Sequence, residues 1–317
     1  MKFDAPQFRD EKAARQYIEA LRWPAGRVCG KCGSFKSYET KKEGRYRCAE
    51  KECRKDFTVT TGTVMESSHI RLTIWVTAFY MMASSKKGVS AHQLHRTLEV
   101  TYKTAWFLAH RIRAAMASGG LLGPIGGEGK VVEADETYFG KAEGPRPTTT
   151  TVGRPFTRGG RSGPSGKRPI VALVERGGSV RAFHVAVATK VNVQQIVREN
   201  VDPASRLHTD ESRLCTGMGA EMAAHETVKH AAGEYVRGDV HNNTAEAFFG
   251  LFKRGMRGTY QHCAEKHLHR YVTEFEFRFN TRTKVGVSDE QRARLALKGI
   301  EGKRLTYRRT DGAGVQA

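Results

Sequence analysis

Acidic residues are scarce in this sequence. Its 317 residues include 33 Asp and Glu against 53 Lys and Arg, which leaves a formal net charge of +20. Such an imbalance disfavours cationic partners and favours a polyanion, with nucleic acid as the first candidate and an anionic membrane surface as the second.

Long apolar runs are also missing. The longest, TIWVTAFYMMASS from Thr73, is too short to span a bilayer and lacks a basic amphipathic flank. The N-terminal stretch MKFDAPQFRDEKAARQY contains no apolar signal core. We therefore expect a cytoplasmic protein whose partner is nucleic acid and not a membrane. The chain length predicts two or three domains.

Cysteine is sparse over most of the chain but clustered near its start. Four of the six cysteines lie between residues 29 and 53, as the pairs Cys29/Cys32 and Cys48/Cys53. Two short loops, each presenting two thiolates, suit tetrahedral zinc. Two disulfides or chance clustering are the alternatives. Because YETKKEGRYRC between the pairs alternates like a hairpin, we predict an N-terminal helix and zinc ribbon over residues 1–62.

Residues 63–120 are predicted to be a helical region. TIWVTAFYMMASS reads as a buried helix, and two helical periods follow, broken near Glu99. This spacing is typical of a helix-turn-helix, whose second helix would offer Tyr102, Lys103 and Thr104 to the major groove of DNA. A two-helix linker within an all-α subdomain is the alternative.

Beyond a Gly-rich stretch the pattern changes to strands. KVVEADETYFG predicts a short strand ending in acids, and RPIVALVERGGSVRAFHVAV predicts a hairpin. SRLHTDES predicts a strand ending at Asp210, and HNNTAEAFFGLFKRG predicts a helix that carries Glu246. This order of elements is that of an RNase H-like fold of the α/β class, which we assign to residues 121–300.

Three acids would meet at one edge of such a sheet. We select Asp135 in the first strand because it alternates with Glu133 and precedes the expected turn ETYFG. With Asp210 and Glu246 it would form a site for two Mg²⁺ or Mn²⁺ ions, since converging carboxylates repel one another unless cations bind between them.

Other residues near these acids have competing interpretations. Glu133, Glu136 and Glu211 are expected to be solvated surface charges and not ligands. His208 and His241 are expected to pack or to cap. Asn243 and Lys253 share the helix face of Glu246 and are assigned to the site; a Lys253 that merely extends along the helix surface is the alternative.

Two further basic segments complete the chain. Residues 141–168 combine seven Lys or Arg with Gly, Pro and Thr, which predicts a mobile loop that either orders along DNA or is a plain insertion. Residues 301–317 are predicted to be a basic tail.

Long segments of this chain resemble the DDE transposases of bacterial insertion sequences, in the ISXO-type group with an N-terminal zinc ribbon. The resemblance covers nearly the whole chain and includes EALRWPAGRVCGKCGS, SSKKGVSAHQLHRTLEVTYKTAWFLAHRIR, EADETYFG, HTDES and HNNTAEAFFGLFKRG. The chain departs from the family in its zinc pairs, where CGKC lacks the frequent Pro and the second pair is two residues longer.

The resemblance implies a DNA transposase with a catalytic triad of Asp135, Asp210 and Glu246, and with Lys253 as the accompanying basic residue. We expect Arg254 to contact DNA as well. The partners would be double-stranded DNA, as transposon ends and target, and further copies of this chain in a dimer or larger assembly. The alternatives are an inactive DNA-binding regulator and an RNase H-like nuclease without strand transfer.

Overall fold

A computed structural model describes residues 3–117, 123–142, 166–229 and 232–306 of the chain. The chain divides into two compact units, one formed by residues 1–118 and 281–317 and the other by residues 119–280. The structure thus groups residues 281–300 with the first unit, whereas the sequence assigns them to the predicted catalytic domain.

The elements predicted from the sequence follow one another in the predicted order, with further elements between and after them. The helices are α1 (Glu11–Arg22), α2 (Leu72–Ser84), α3 (Ala91–Leu98), α4 (Tyr102–Met116), α5 (Lys190–Asn200), α6 (Asn243–Gly255), α7 (Glu265–Asn280) and α8 (Asp289–Lys298). The strands are β1 (Ser37–Glu39), β2 (Tyr46–Cys48), β3 (Asp56–Phe57), β4 (Val131–Lys141), β5 (Lys167–Glu175), β6 (Val180–His184), β7 (Arg206–Thr209) and β8 (Ala224–Thr227). A π-helical turn, Met256–Tyr260, continues α6.

The first unit begins with α1 and a small antiparallel sheet. Asp10 starts α1 by accepting a hydrogen bond from the Ala13 N–H at 2.7 Å. Strand β2 lies between β1 and β3, and its side chains Tyr46 and Cys48 are buried. The predicted hairpin between the cysteine pairs is therefore confirmed.

Helices α3 and α4 confirm the two predicted helical periods. Ser90 caps α3 by accepting from the Gln93 N–H at 3.1 Å, as its position before an apolar repeat predicts. Glu99 ends α3 in the left-handed conformation, with φ of 52°, where glycine is usual. Leu108 and Ile112 of α4 are fully buried.

The second unit contains a five-stranded sheet in the order β6-β5-β4-β7-β8. Strands β4, β5 and β6 are antiparallel neighbours, whereas β7 and β8 run parallel to β4 and to each other. In chain order this is 3-2-1-4-5, the strand order of an RNase H-like sheet, so the predicted fold class is confirmed.

Both faces of this sheet are covered. Ile170, Ala172 and Val174 of β5 pack against Phe248 of α6 and Phe275 of α7. The alternate residues of β5, together with Val132 and Ala134 of β4, belong to a second core that includes Val193 and Val197 of α5. Alternation along β4 therefore directs Glu133 and Asp135 to the face that α6 covers.

Strand β4 differs from its prediction. The sequence predicts that it stops at the acids, yet it continues through ETYFG to Lys141, because β5 pairs with it from Val132 to Phe139 and, past a register shift, at Lys141. Lys141, Lys167 and Arg168 are consequently strand residues and not part of the predicted loop. The rest of that loop, between residues 143 and 165, and the tail beyond residue 306 lie outside the described residues.

Candidate active site

The register of two parallel strands sets Asp135 beside Asp210. Pairing between β4 and β7 ends where Glu133 lies opposite His208. Asp135 and Asp210 each follow two residues after these partners, in the same direction. Ligand oxygens of Asp135, Glu136 and Asp210 all lie within 4.8 Å of one another. The structure thus brings together the two predicted strand acids and adds Glu136, which the sequence treated as a surface charge.

The electrostatics of this group reflect its crowding. Burial, reinforced by the charges of Asp210 and Glu136, raises the pKa of Asp135 to about 8. Burial and the charge of Asp210 also raise the pKa of Glu136, although the Ser212 hydroxyl donates to Glu136 at 3.1 Å. Such a cluster holds either a proton or a cation at neutral pH.

Glu246 lies on the first turn of α6 and its side chain is exposed. Its charge makes a smaller contribution to the raised pKa of Asp135 than burial, Asp210 and Glu136 do. Among the residues the structure describes, the 4.8 Å acidic group does not include Glu246. The predicted third acid is therefore close enough for its charge to act on Asp135 but lies outside the acidic group.

Helix α6 also carries the other three residues that the sequence assigns to the site or to DNA. Lys253 is half-buried; burial and the charge of Arg257 lower its pKa, whereas the charge of Asp135 opposes that shift. Asn243 is exposed, and its backbone N–H donates to Nδ1 of His241 at 3.3 Å. Arg254 is exposed and donates to the Gly250 carbonyl at 3.1 Å.

The sequence interpretation was wrong about the surroundings of Glu133. Glu133 is 0% exposed and not a solvated charge. Its carboxylate accepts from the N–H groups of Thr244 and Ala245, at 2.8 and 3.0 Å, and from the Thr244 hydroxyl at 3.0 Å. The available signal was its alternation with Asp135, which predicts the same inward face.

Arg176, directly after β5, holds Glu133 from the other side. Its Nε donates to Glu133 at 2.8 Å and its Nη1 donates to the Asp239 carbonyl at 2.7 Å. Its Nη2 lies 3.2 Å from Nδ1 of His208 and 3.0 Å from Nδ1 of His241. Burial and the Arg176 charge lower the pKa of His208, so this buried imidazole is neutral and accepts from Arg176.

The four clustered cysteines converge as predicted. Their sulfur atoms all lie within 4.8 Å of one another, and each of the four is a free thiol. Sγ of Cys29 is 3.9 Å from that of Cys53, and Sγ of Cys32 is 3.5 Å from that of Cys48. Four thiols at these separations fit tetrahedral zinc and not two disulfides.

The residues predicted to read DNA lie at the start of α4. Tyr102 and Lys103 are exposed, and the Tyr102 ring stacks on His92 with 4.4 Å between centroids. Thr104 is half-buried, and its hydroxyl lies 2.8 Å from that of Thr101, the residue that caps α4. The start of α4 thus presents Tyr102 and Lys103 more openly than Thr104.

Across the described ranges, the helices are all too short or too polar to cross a membrane.

Two regions of the chain match families of known proteins. Residues 125–280 match the ISXO2-like transposase domain, and residues 9–56 match the transposase zinc-ribbon domain. A protein of Halobacterium salinarum, described as "Uncharacterized protein in transposable element ISH50", is 28% identical over 285 residues, which cover 86% of this chain and 91% of the relative.

Two solved structures also overlap with 67% of this chain, each at 12% identity. They are a pre-cleavage Mos1 transpososome, with a TM-score of 0.22 over 74% of that chain, and a Mos1 transposase paired-end complex with the left transposon end, with a TM-score of 0.19 over 77% of that chain.

Proposed function

We propose that this chain, which matches the ISXO2-like transposase domain and the transposase zinc-ribbon domain, is an insertion-sequence transposase that binds the terminal inverted repeats of its element and catalyses Mg²⁺-dependent DNA cleavage and strand transfer. The supporting observation is the acidic group in a chain of net charge +20, where the parallel register sets Asp135 beside Asp210.

The donor chemistry of this group suits hard divalent cations. Carboxylate oxygens are the ligands that Mg²⁺ and Mn²⁺ prefer, and a raised Asp135 pKa is the sign of a cluster that a cation relieves. In the proposal Asp135, Asp210 and Glu246 hold two ions, with Glu136 as a further ligand. When bound, such a pair activates the attacking oxygen and stabilises the leaving oxygen of a phosphodiester.

The chain's own residues position the DNA. Asp135 gives up its proton before it can act as a ligand. Lys253, which is close enough to Asp135 for their charges to interact, would bind the phosphate beside the cut, and Asn243 and Arg254 would contact the strand along the same helix. Positioning supplies much of the rate, because no covalent enzyme intermediate is required.

The first 120 residues would hold the element ends. In the proposal Cys29, Cys32, Cys48 and Cys53 bind structural Zn²⁺ in the ribbon of residues 1–62, and the helical region of residues 63–120 places Tyr102, Lys103 and Thr104 against DNA. Since two ends have to be held together, the active form would be a dimer or a larger assembly.

The test is a joining reaction in vitro, with labelled element-end DNA, a plasmid target and Mg²⁺. We compare the native protein with Asp210→Ala and Glu246→Ala. The control is Glu199→Gln, which removes a carboxylate at an exposed position on α5, outside the proposed site. Joined products from the native protein and the control alone, with DNA binding kept in all four, are expected.

Two outcomes would contradict the proposal. Binding without cutting or joining in any of the four proteins would indicate a DNA-binding regulator. Cutting without joining by the native protein would indicate a nuclease.

A further inference from the structure

The start of α6 is anchored from outside the helix. Asn242, its N-cap residue, makes no side-chain capping bond. Glu133 of β4 takes over that role by accepting from the N–H groups of Thr244 and Ala245, the second and third residues of the helix. A carboxylate at this end is also favoured by the helix dipole.

The same carboxylate is tied to the neighbouring strand through Arg176. One guanidinium joins Glu133 of β4, His208 of β7 and the His241 carbonyl just before α6, at 2.8, 3.2 and 3.0 Å. With His208 Nδ1 accepting from Arg176, its Nε2 faces Glu226 at 3.3 Å. Each of the three elements that carry a predicted acid thus contacts one ion pair, in which Glu133 is fully buried and the Arg176 side chain is 23% exposed.

The three predicted acids lie at the same sequence separation from the residues that bond to or form the Glu133–Arg176 pair. Each acid lies two residues beyond a bonded residue of its own element: Asp135 beyond Glu133, Asp210 beyond His208, and Glu246 beyond Thr244. Two residues along a strand return to the same face, and two along a helix stay within one turn. A shift of the pair would therefore displace all three carboxylates.

We infer that Glu133 and Arg176 are positioning residues that set the geometry of the three metal-binding carboxylates, an inference that rests on the proposed function. Neither would touch a metal ion or DNA. Their effect is to hold α6 against β4 and β7, so that Glu246, whose own side chain is exposed, is presented to the Asp135 and Asp210 edge by its backbone.

A second buried ion pair provides a comparison. Glu274 is 0% exposed and pairs with Arg278 at 2.5 Å, one turn along the same helix α7. It also accepts from the Tyr260 hydroxyl, beyond the C-terminal end of α6 and far along that helix from Thr244. Loss of either buried carboxylate is expected to lower stability. Only the loss of Glu133 would also change how the acids are arranged.

The test uses the full-length protein with its zinc and measures Mn²⁺ binding by electron paramagnetic resonance. The variants are Glu133→Gln and Arg176→Lys, with Glu274→Gln as the matched control. We expect Glu133→Gln and Arg176→Lys to weaken Mn²⁺ binding by about 10- to 100-fold, the usual range for residues that orient metal ligands. The Mg²⁺ concentration for half-maximal joining should rise in parallel, and saturating metal should restore part of the joining.

Hydrogen exchange supplies a structural readout independent of metal and activity. Amides at the start of α6, including Thr244 and Ala245, should exchange faster in Glu133→Gln than in the native protein, and the Glu274→Gln control should leave them unchanged. If Glu133→Gln fails to fold, Arg176→Lys carries both measurements, since it keeps the charge but not the forked hydrogen bonding.

Three results would overturn the inference. Native-like Mn²⁺ affinity in folded Glu133→Gln and Arg176→Lys would do so while leaving the proposed function intact. An equal loss of Mn²⁺ affinity in Glu274→Gln would reduce the effect to general destabilisation. A native protein that neither binds Mn²⁺ nor joins DNA would remove the proposed function, and this inference with it.

Discussion

Glu133 accepts hydrogen bonds from both the backbone N–H and the hydroxyl of Thr244, at 2.8 and 3.0 Å, across 111 residues of sequence. One of these residues lies two positions before Asp135 and the other two positions before Glu246. The contact therefore connects the strand and the helix that carry two of the predicted acids.

Glu136 and Glu246 can be separated as metal ligands. The first lies in the 4.8 Å acidic group and the second does not. We expect Glu246→Gln to reduce joining at least about 100-fold and Glu136→Gln to weaken Mn²⁺ binding by roughly 10-fold, since each removes a ligand charge. Glu211→Gln, beside Asp210, is the control. If Glu136→Gln binds Mn²⁺ with native affinity, Glu136 is not a metal ligand.

The stability of the protein without added divalent cation should depend on pH through Asp135. Its pKa of about 8 in the folded chain lies above the ordinary value of 3.8, so the folded state keeps a proton that the unfolded state has lost. The free energy of unfolding should therefore fall as pH rises from about 4 to about 8, by at most about 1.4 kcal/mol per pH unit from this group.

Urea unfolding at several pH values in Mg²⁺-free buffer measures this slope, and Asp135→Asn should flatten it. Glu199→Gln should leave it unchanged. Because protons compete with the metal, Mn²⁺ affinity should rise by up to about tenfold per pH unit over the same range. An identical slope in native protein and Asp135→Asn would contradict the assignment.

The four clustered cysteines should hold zinc. Their sulfur atoms converge within 4.8 Å, and closed four-thiolate sites are structural. Purified native protein should contain about one zinc per chain by atomic emission, and Cys32→Ser should lose it together with binding to element-end DNA. Cys263→Ser, in the other unit, should retain the metal. Full zinc content in Cys32→Ser would refute the site.

Replacing Glu99 with glycine should stabilise the protein. The Glu99 φ of 52° at the end of α3 costs a residue with a Cβ atom energy that glycine does not lose. Glu99→Gly should raise the free energy of unfolding by about 1 kcal/mol, measured from the thermal midpoint. Glu99→Ala keeps the Cβ atom and should bring no such gain. Equal gains in both variants would place the effect in the lost charge and not in the backbone.

Much of the fold was predictable because its signals are local. Ser90 before an apolar repeat predicts the start of α3, and two strands around the turn Arg176-Gly177-Gly178 predict the β5 and β6 hairpin. The order of strands and the later helix predicts the RNase H-like sheet. The length of β4 was not predictable in the same way, since ETYFG stays extended only because β5 pairs with it.

The sequence by itself determined the clustering of the four cysteines, the order of the elements and the nomination of Asp135 and Asp210, because spacing and alternation along one chain carry that information. The tertiary structure decided that Glu133 caps α6 and that Glu136 joins the acidic group. Those two glutamates flank Asp135 in one strand, and alternation along the sequence tells only which face of the strand each one takes. Only the parallel pairing with β7 and the packing of α6 against the sheet give them different surroundings.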